Sequence, residues 1–130
     1  MASTTNTNTT THNFIYWLPR ILGILFVLFL MLFSLDVIEM GKSVQEIITG
    51  LFIHNVPALV LLLLVIIAWR YEIVGAISFF LVGGIYILLV TSTSRFEWYM
   101  LNWLLIISGP AFFISGLFAY QWIQKQKKLK

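Results

Sequence analysis

Charged residues divide the chain into four apolar runs. Asp36, Glu39, Lys42 and Glu46 cluster in one place, Arg70 and Glu72 form a second break, and Arg95 and Glu97 a third. Lys125, Lys127, Lys128 and Lys130 form a fourth. Between these breaks lie Ile21–Leu35, Ile47–Trp69, Ile73–Ser94 and Trp98–Gln124. A helix needs about 20 mostly apolar residues to cross a bilayer. The last three runs meet this directly, and the first meets it by extending back through Tyr16, Trp17 and Arg20. The pattern therefore predicts four helices, over about 14–40, 43–70, 72–94 and 97–124, in an all-α integral membrane four-helix bundle. Arg20 is expected about one turn inside the first helix, with its long stem carrying the charge to the headgroups.

Local signals sharpen the boundaries. Ser43-Val44-Gln45-Glu46 reads as a capping box at the start of the second helix, and Gly41 suits a left-handed residue ending the first. Pro57 falls mid-helix and predicts a kink. The alternative is a break, with Asn55 capping a restarted helix. That piece would have about 15 residues and span roughly 22 Å, short of the hydrocarbon thickness, so a continuous helix is preferred. Gly109-Pro110 predicts a second kink. Small residues recur at packing intervals, Gly75, Ala76, Gly83 and Gly84 in the third helix and Asn102, Gly109 and Gly116 in the fourth. They suit close helix packing inside one molecule or a homo-oligomer contact.

Composition agrees with the pattern. Of 130 residues 60% are hydrophobic and 10% charged, against about 45–50% and 25% in soluble domains. Cysteine is absent, which excludes disulfides and thiolate chemistry. Residues 1–13 are rich in Thr and Asn, have no apolar period, and are expected to be disordered. They carry no basic segment of the kind that opens a secretory signal. Four spans put both termini on one side, with Arg20, Arg70 and the four C-terminal lysines against Lys42 and Arg95 on the other. This asymmetry predicts a cell (inner) membrane protein with both termini cytoplasmic. Residues 125–130 form a basic cytoplasmic tail. Lys125, Lys127, Lys128 and Lys130 are a positive anchor with the capacity to hold anionic lipid, and nucleic acid is not an expected partner.

Polar residues inside a bilayer require partners or water. On the outer side, Asp36, Glu39, His54, Asn55, Arg95 and Asn102 form a candidate cluster. It is either an interfacial network of ion pairs and hydrogen bonds, with His54 bonded to Asn102 or Thr91, or a proton- or cation-handling mouth. Asp36 and Glu39 lie at the end of the first helix, where the helix dipole disfavours negative charge, so compensation by Arg95 or Lys42 is expected. On the inner side, Arg20 and Glu72 form a candidate ion pair fixing the bundle. No hydrolase, metalloprotease or phosphate-loop motif occurs, and no cofactor, metal site or catalytic residue is expected.

Together, Trp17-Leu18-Pro19-Arg20-Ile21-Leu22-Gly23, Asp36-Val37-x-Glu39-x-Gly41, His54-Asn55-x-Pro57, Ala68-Trp69-Arg70-x-Glu72-x-x-Gly75 and Gly109-Pro110-x-Phe112 resemble a family of small prokaryotic membrane proteins. That family is a domain of unknown function with four predicted spans. The resemblance covers about residues 14–124 and implies a four-helix membrane protein of prokaryotic type, with no activity to carry over. The expected function is a non-enzymatic accessory or structural role. The alternative is a small channel or proton-coupled transporter working through the cluster around His54.

Overall fold

The computed structural model describes residues 6–38, 42–93, 95 and 97–130. Four helices account for nearly all of them: α1 (Asn6–Phe33), α2 (Val44–Ala68), α3 (Glu72–Ser92) and α4 (Trp98–Leu129), with a 3-10 turn, Ser34–Val37, after α1. All four are long and apolar enough to cross a membrane. Successive helices pack side by side, and α1 closes the ring against α4. The diagonal pairs, α1 with α3 and α2 with α4, make no close backbone approach.

Each helix buries one stripe. In α2 it is Ala58, Leu61, Val65 and Ala68; in α4 it is Ile107, Ser108, Ala111, Ile114, Ser115 and Phe118. These spacings of three and four residues define one helical face. The remaining faces carry exposed Leu, Ile, Val and Phe along the length of every helix. That surface is unsuited to water and matches lipid tails.

The α3–α4 seam is the most extensive. Ser108 Oγ donates to the Gly83 carbonyl at 3.1 Å, and Ser115 Oγ to the Ala76 carbonyl at 2.6 Å. Both pairs are seven residues apart, so one contact repeats two turns further along antiparallel helices. Gly75 and Gly83 let this happen. A Cβ on Gly75 would stand 2.7 Å from the Phe118 ring and 2.9 Å from Ala68 Cβ, and one on Gly83 would stand 3.0 Å from the Phe112 ring. Phe79 stacks on Phe118 with ring centroids 6.1 Å apart and meets Phe26 of α1 at 5.8 Å, filling the centre.

Several sequence expectations change. Asn6–Asn13 belong to α1 rather than to an irregular tail, and the basic residues through Leu129 continue α4. The two helices extend past the bundle on the same side, where Lys128 Nζ lies 3.2 Å from His12 Nε2. Thr9–Asn13 are exposed along this extension, and His12 is where it meets α4. Residues 1–5 and Gly41 lie outside the described residues. The first helix ends at Phe33, well before residue 40, so Asp36 sits in the 3-10 turn. Helix α2 runs unbroken through Pro57, and α4 through Pro110. Its start carries the full capping box: Ser43 Oγ accepts from the Glu46 amide, and Glu46 accepts from the Ser43 amide. Gly109 and Gly116 face outward with open space where a Cβ would stand, as does Gly84. The inward stripe of α4 is Ser108 and Ser115, one position back, because one residue rotates a helix face by about 100°.

These contacts separate the glycines experimentally. Gly75→Ala should lower stability in detergent by about 1–3 kcal/mol, since the crowded Phe118 ring must move. Gly116→Ala should be neutral or slightly stabilising, by up to about 1 kcal/mol, since alanine is the better helix former. Thermal unfolding followed by circular dichroism distinguishes them, and equal shifts would contradict the packing described.

Candidate functional site

The polar centre of the molecule lies at the end of the bundle from which α1 and α4 project, the end that the charge asymmetry labels inner, and is built around Arg20, whose side chain is 2% exposed. Its formation begins with Pro19. Proline has no amide hydrogen, so the Ile15 carbonyl one turn earlier loses its helical donor. Gln121 Nε2 of α4 donates to that oxygen, and also to the Tyr16 carbonyl at 3.1 Å. The other side of the same amide, Gln121 Oε1, accepts from Arg20 Nη1 at 2.9 Å. Arg20 Nη1 also donates to the Tyr16 carbonyl, and the guanidinium carbon lies 3.7 Å from the Tyr16 ring centroid.

The second arm of Arg20 reaches the α2–α3 connection. Nη2 donates to the Trp69 carbonyl at 3.1 Å. Trp69 is the C-cap of α2, so its carbonyl is one of those a helix end leaves without an internal donor. Nη2 also lies 3.6 Å from Glu72 Oε1. Glu72 opens α3, where the helix dipole favours a carboxylate, and Lys125 Nζ of α4 stands 3.2 Å from its other oxygen. One guanidinium thus engages groups from all four helices. Arg20 and Glu72 meet across the diagonal of the ring, which the length of the arginine permits. The charge is enclosed by protein instead of reaching out to the headgroups as the sequence suggested, because acceptors from all four helices meet its two terminal nitrogens, while Nε is buried without one.

Beside this node is a half-open cavity of about 570 Å³ under the α2–α3 connection. Arg70, Lys125 and Lys128 supply its positive charge and Glu72 a carboxylate, and Tyr16, Trp69 and Tyr120 form aromatic walls.

The outer candidates do not assemble. His54 is exposed, and its Nδ1 lies 3.1 Å from the Gly50 carbonyl of its own helix. A carbonyl only accepts, so that contact places the proton on Nδ1. Asn102 is exposed on α4, diagonally across from α2, and Thr91 bonds back to the Ile87 carbonyl. Neither meets His54. Asn55 alone points between helices: its Nδ2 donates to Ser34 Oγ at 2.8 Å and to the Leu51 carbonyl at 2.9 Å. Asp36 and Arg95 are exposed, with no ion pair between them among the described residues; Glu39 lies outside those residues.

Sequence reasoning missed Gln121, Pro19 and the pairing of Lys125 with Glu72. The available signal for Gln121 was its position seven residues after Ile114 on the buried stripe, an amide where an apolar residue was due. A proline one residue before the buried arginine was a second.

Breaking the node should be non-additive. Arg20→Gln and Glu72→Gln should each lower stability by about 1–3 kcal/mol, and the double variant by less than the sum. Lys125→Met should shift stability by less than about 1 kcal/mol, since that side chain is 54% exposed. Strictly additive losses in thermal unfolding would show that Arg20 and Glu72 act independently.

Comparison with known proteins adds the family. No curated protein and no solved structure matches the chain. Residues 6–130, the whole of the helical bundle, match a domain of unknown function (DUF7670), and the chain belongs to that family.

Proposed function

We propose that the protein is a non-enzymatic accessory or structural component of a prokaryotic cell membrane, with both termini cytoplasmic. The use of its buried polarity supports this. The buried polar side chains Arg20, Ser34, Glu72, Ser78, Ser108 and Ser115 each bond to protein groups, within a helix or across a seam. Polarity invested in this way holds helices together, and of these groups only Arg20 Nε, enclosed within the node, lacks an acceptor among the described residues. The transport alternative requires a polar route through His54, whereas Asp36, His54 and Asn102 lie on outward faces.

Charge supports the orientation. With Arg20 enclosed, the side holding both termini still carries Arg70, Lys125, Lys127, Lys128 and Lys130, against Lys42 and Arg95 opposite.

Purified protein in liposomes should show no proton or cation flux above empty vesicles between about pH 5 and 8, the interval spanning ordinary histidine titration. His54→Gln should fold and behave identically. A wild-type flux with a sigmoidal pH dependence, abolished by His54→Gln, would overturn the accessory role in favour of transport. Topology is tested with single cysteines, since the native chain has none. Arg95→Cys should react with an impermeant thiol reagent on intact cells, and Lys130→Cys only after permeabilisation.

A further inference from the structure

We propose that the inner-end cavity is a binding site for the phosphate of an anionic amphiphile, with Arg70, Lys125 and Lys128 as its cationic contacts. Four observations converge on this. The first is depth. Helix α3 has 21 residues and spans about 31 Å, close to the roughly 30 Å hydrocarbon thickness. Its first turn, at Glu72, therefore lies at the edge of the hydrocarbon. The cavity continues outward from that level, among headgroups, enclosed where α1 and α4 overhang the α2–α3 connection.

The second is charge. Arg70, Lys125 and Lys128 line the cavity with a single carboxylate, Glu72, which already faces Lys125 at 3.2 Å and, from the buried node behind it, Arg20 at 3.6 Å. Lys128 has the His12 ring as its neighbour at 3.2 Å and no acidic partner among the described residues, and the same holds for Arg70. The cavity lining thus has an excess of two positive charges, which an anion neutralises. Because Glu72 is held by its two cations, it opposes an entering phosphate less than a free carboxylate would.

The third is the wall. Tyr16, Trp69 and Tyr120 place aromatic surface next to the cations, the combination that suits a molecule with a charged head and an apolar body. The fourth is size. About 570 Å³ falls within the range of about 300–1,000 Å³ usual for ligand sites, and the half-open shape lets acyl chains remain in the bilayer. The basic tail alone would give only diffuse attraction to a negative surface; Arg70, from a different part of the chain, turns it into a three-sided site.

The test uses the purified full chain in neutral detergent, titrated with dioleoyl-phosphatidylglycerol, dioleoyl-phosphatidylcholine or inorganic phosphate. Bound lipid is counted by native mass spectrometry and stabilisation is read by thermal shift. Phosphatidylglycerol should bind at one lipid per chain and raise the melting temperature; phosphatidylcholine and inorganic phosphate should not. A shift with inorganic phosphate equal to that with phosphatidylglycerol would overturn the lipid as source and assign the site to a soluble phosphate.

Arg70→Gln with Lys128→Gln should lower phosphatidylglycerol affinity at least about tenfold without unfolding the protein, since both side chains lie outside the Arg20 node. Lys127→Gln with Lys130→Gln removes equal charge from the same end and should retain affinity. Unchanged binding in the first pair, or an equal loss in the second, would overturn the site. Failure here is separate from failure of the accessory role, because flux in liposomes would sink the latter and leave lipid counts untouched.

Discussion

The bundle depends on keeping one guanidinium out of both lipid and water. A buried charge in a low-dielectric interior needs acceptors for most of its donors and a counterion for its charge. Arg20 is buried deeply enough that its partners must come from the protein. They come from α1 through Tyr16, from α2 through the Trp69 carbonyl, from α3 through Glu72 and from α4 through Gln121. Moving any helix at this end by a few ångströms would cost one of the two terminal nitrogens a partner, beside Nε, which has none. The node therefore fixes relative height and rotation, which apolar packing between helices in lipid leaves weakly determined, since lipid tails are as apolar as leucine. Pro19 contributes by freeing a carbonyl that draws Gln121 across from α4.

Away from the node, cohesion passes to close packing. The α3–α4 seam uses small residues where backbones approach, with Ser108 and Ser115 donating to carbonyls on the opposite helix. The aromatic column of Phe26, Phe79 and Phe118 fills the space that a square of four helices leaves at its centre. The α1–α2 and α1–α4 seams rely more on long side chains, with Trp17 meeting Trp69 at the inner end and Phe33 meeting Trp103 at the outer. Two kinds of constraint thus divide the molecule: directional bonds at one end, shape along the rest.

The two ends differ in what they offer a ligand. At the outer end the hydroxyls of Thr91, Ser92 and Thr93 bond back to carbonyls within α3, so they can face the surroundings without a partner from another helix. At the inner end, α1 and α4 project beyond the short α2–α3 connection and leave a notch that their length difference creates. Cations collect there, because the C-terminus of α4 favours lysine electrostatically and because Arg70 stands in the connection itself.

The sequence by itself determined the class of molecule, the number of helices, the approximate limits of α2 and α3 and the start of α4. Hydropathy and length are properties of a run of residues and require no knowledge of neighbours. The capping box at Ser43 and Glu46 was legible for the same reason, being closed within four residues. The Arg20–Glu72 pairing could be suggested from shared depth, since depth follows from counting along each helix. Rotation could not be read this way. Whether Gly109 or Ser108 faces inward depends on which helix lies beside α4, and one residue's difference turns the face by about 100°. His54 and Asn102 have similar depth, yet the ring places their helices on a diagonal. Gln121 meets Arg20 across 101 positions of sequence. Only the folded chain decided these contacts, because the identity of a polar partner is set by the arrangement of all four helices and by no segment alone.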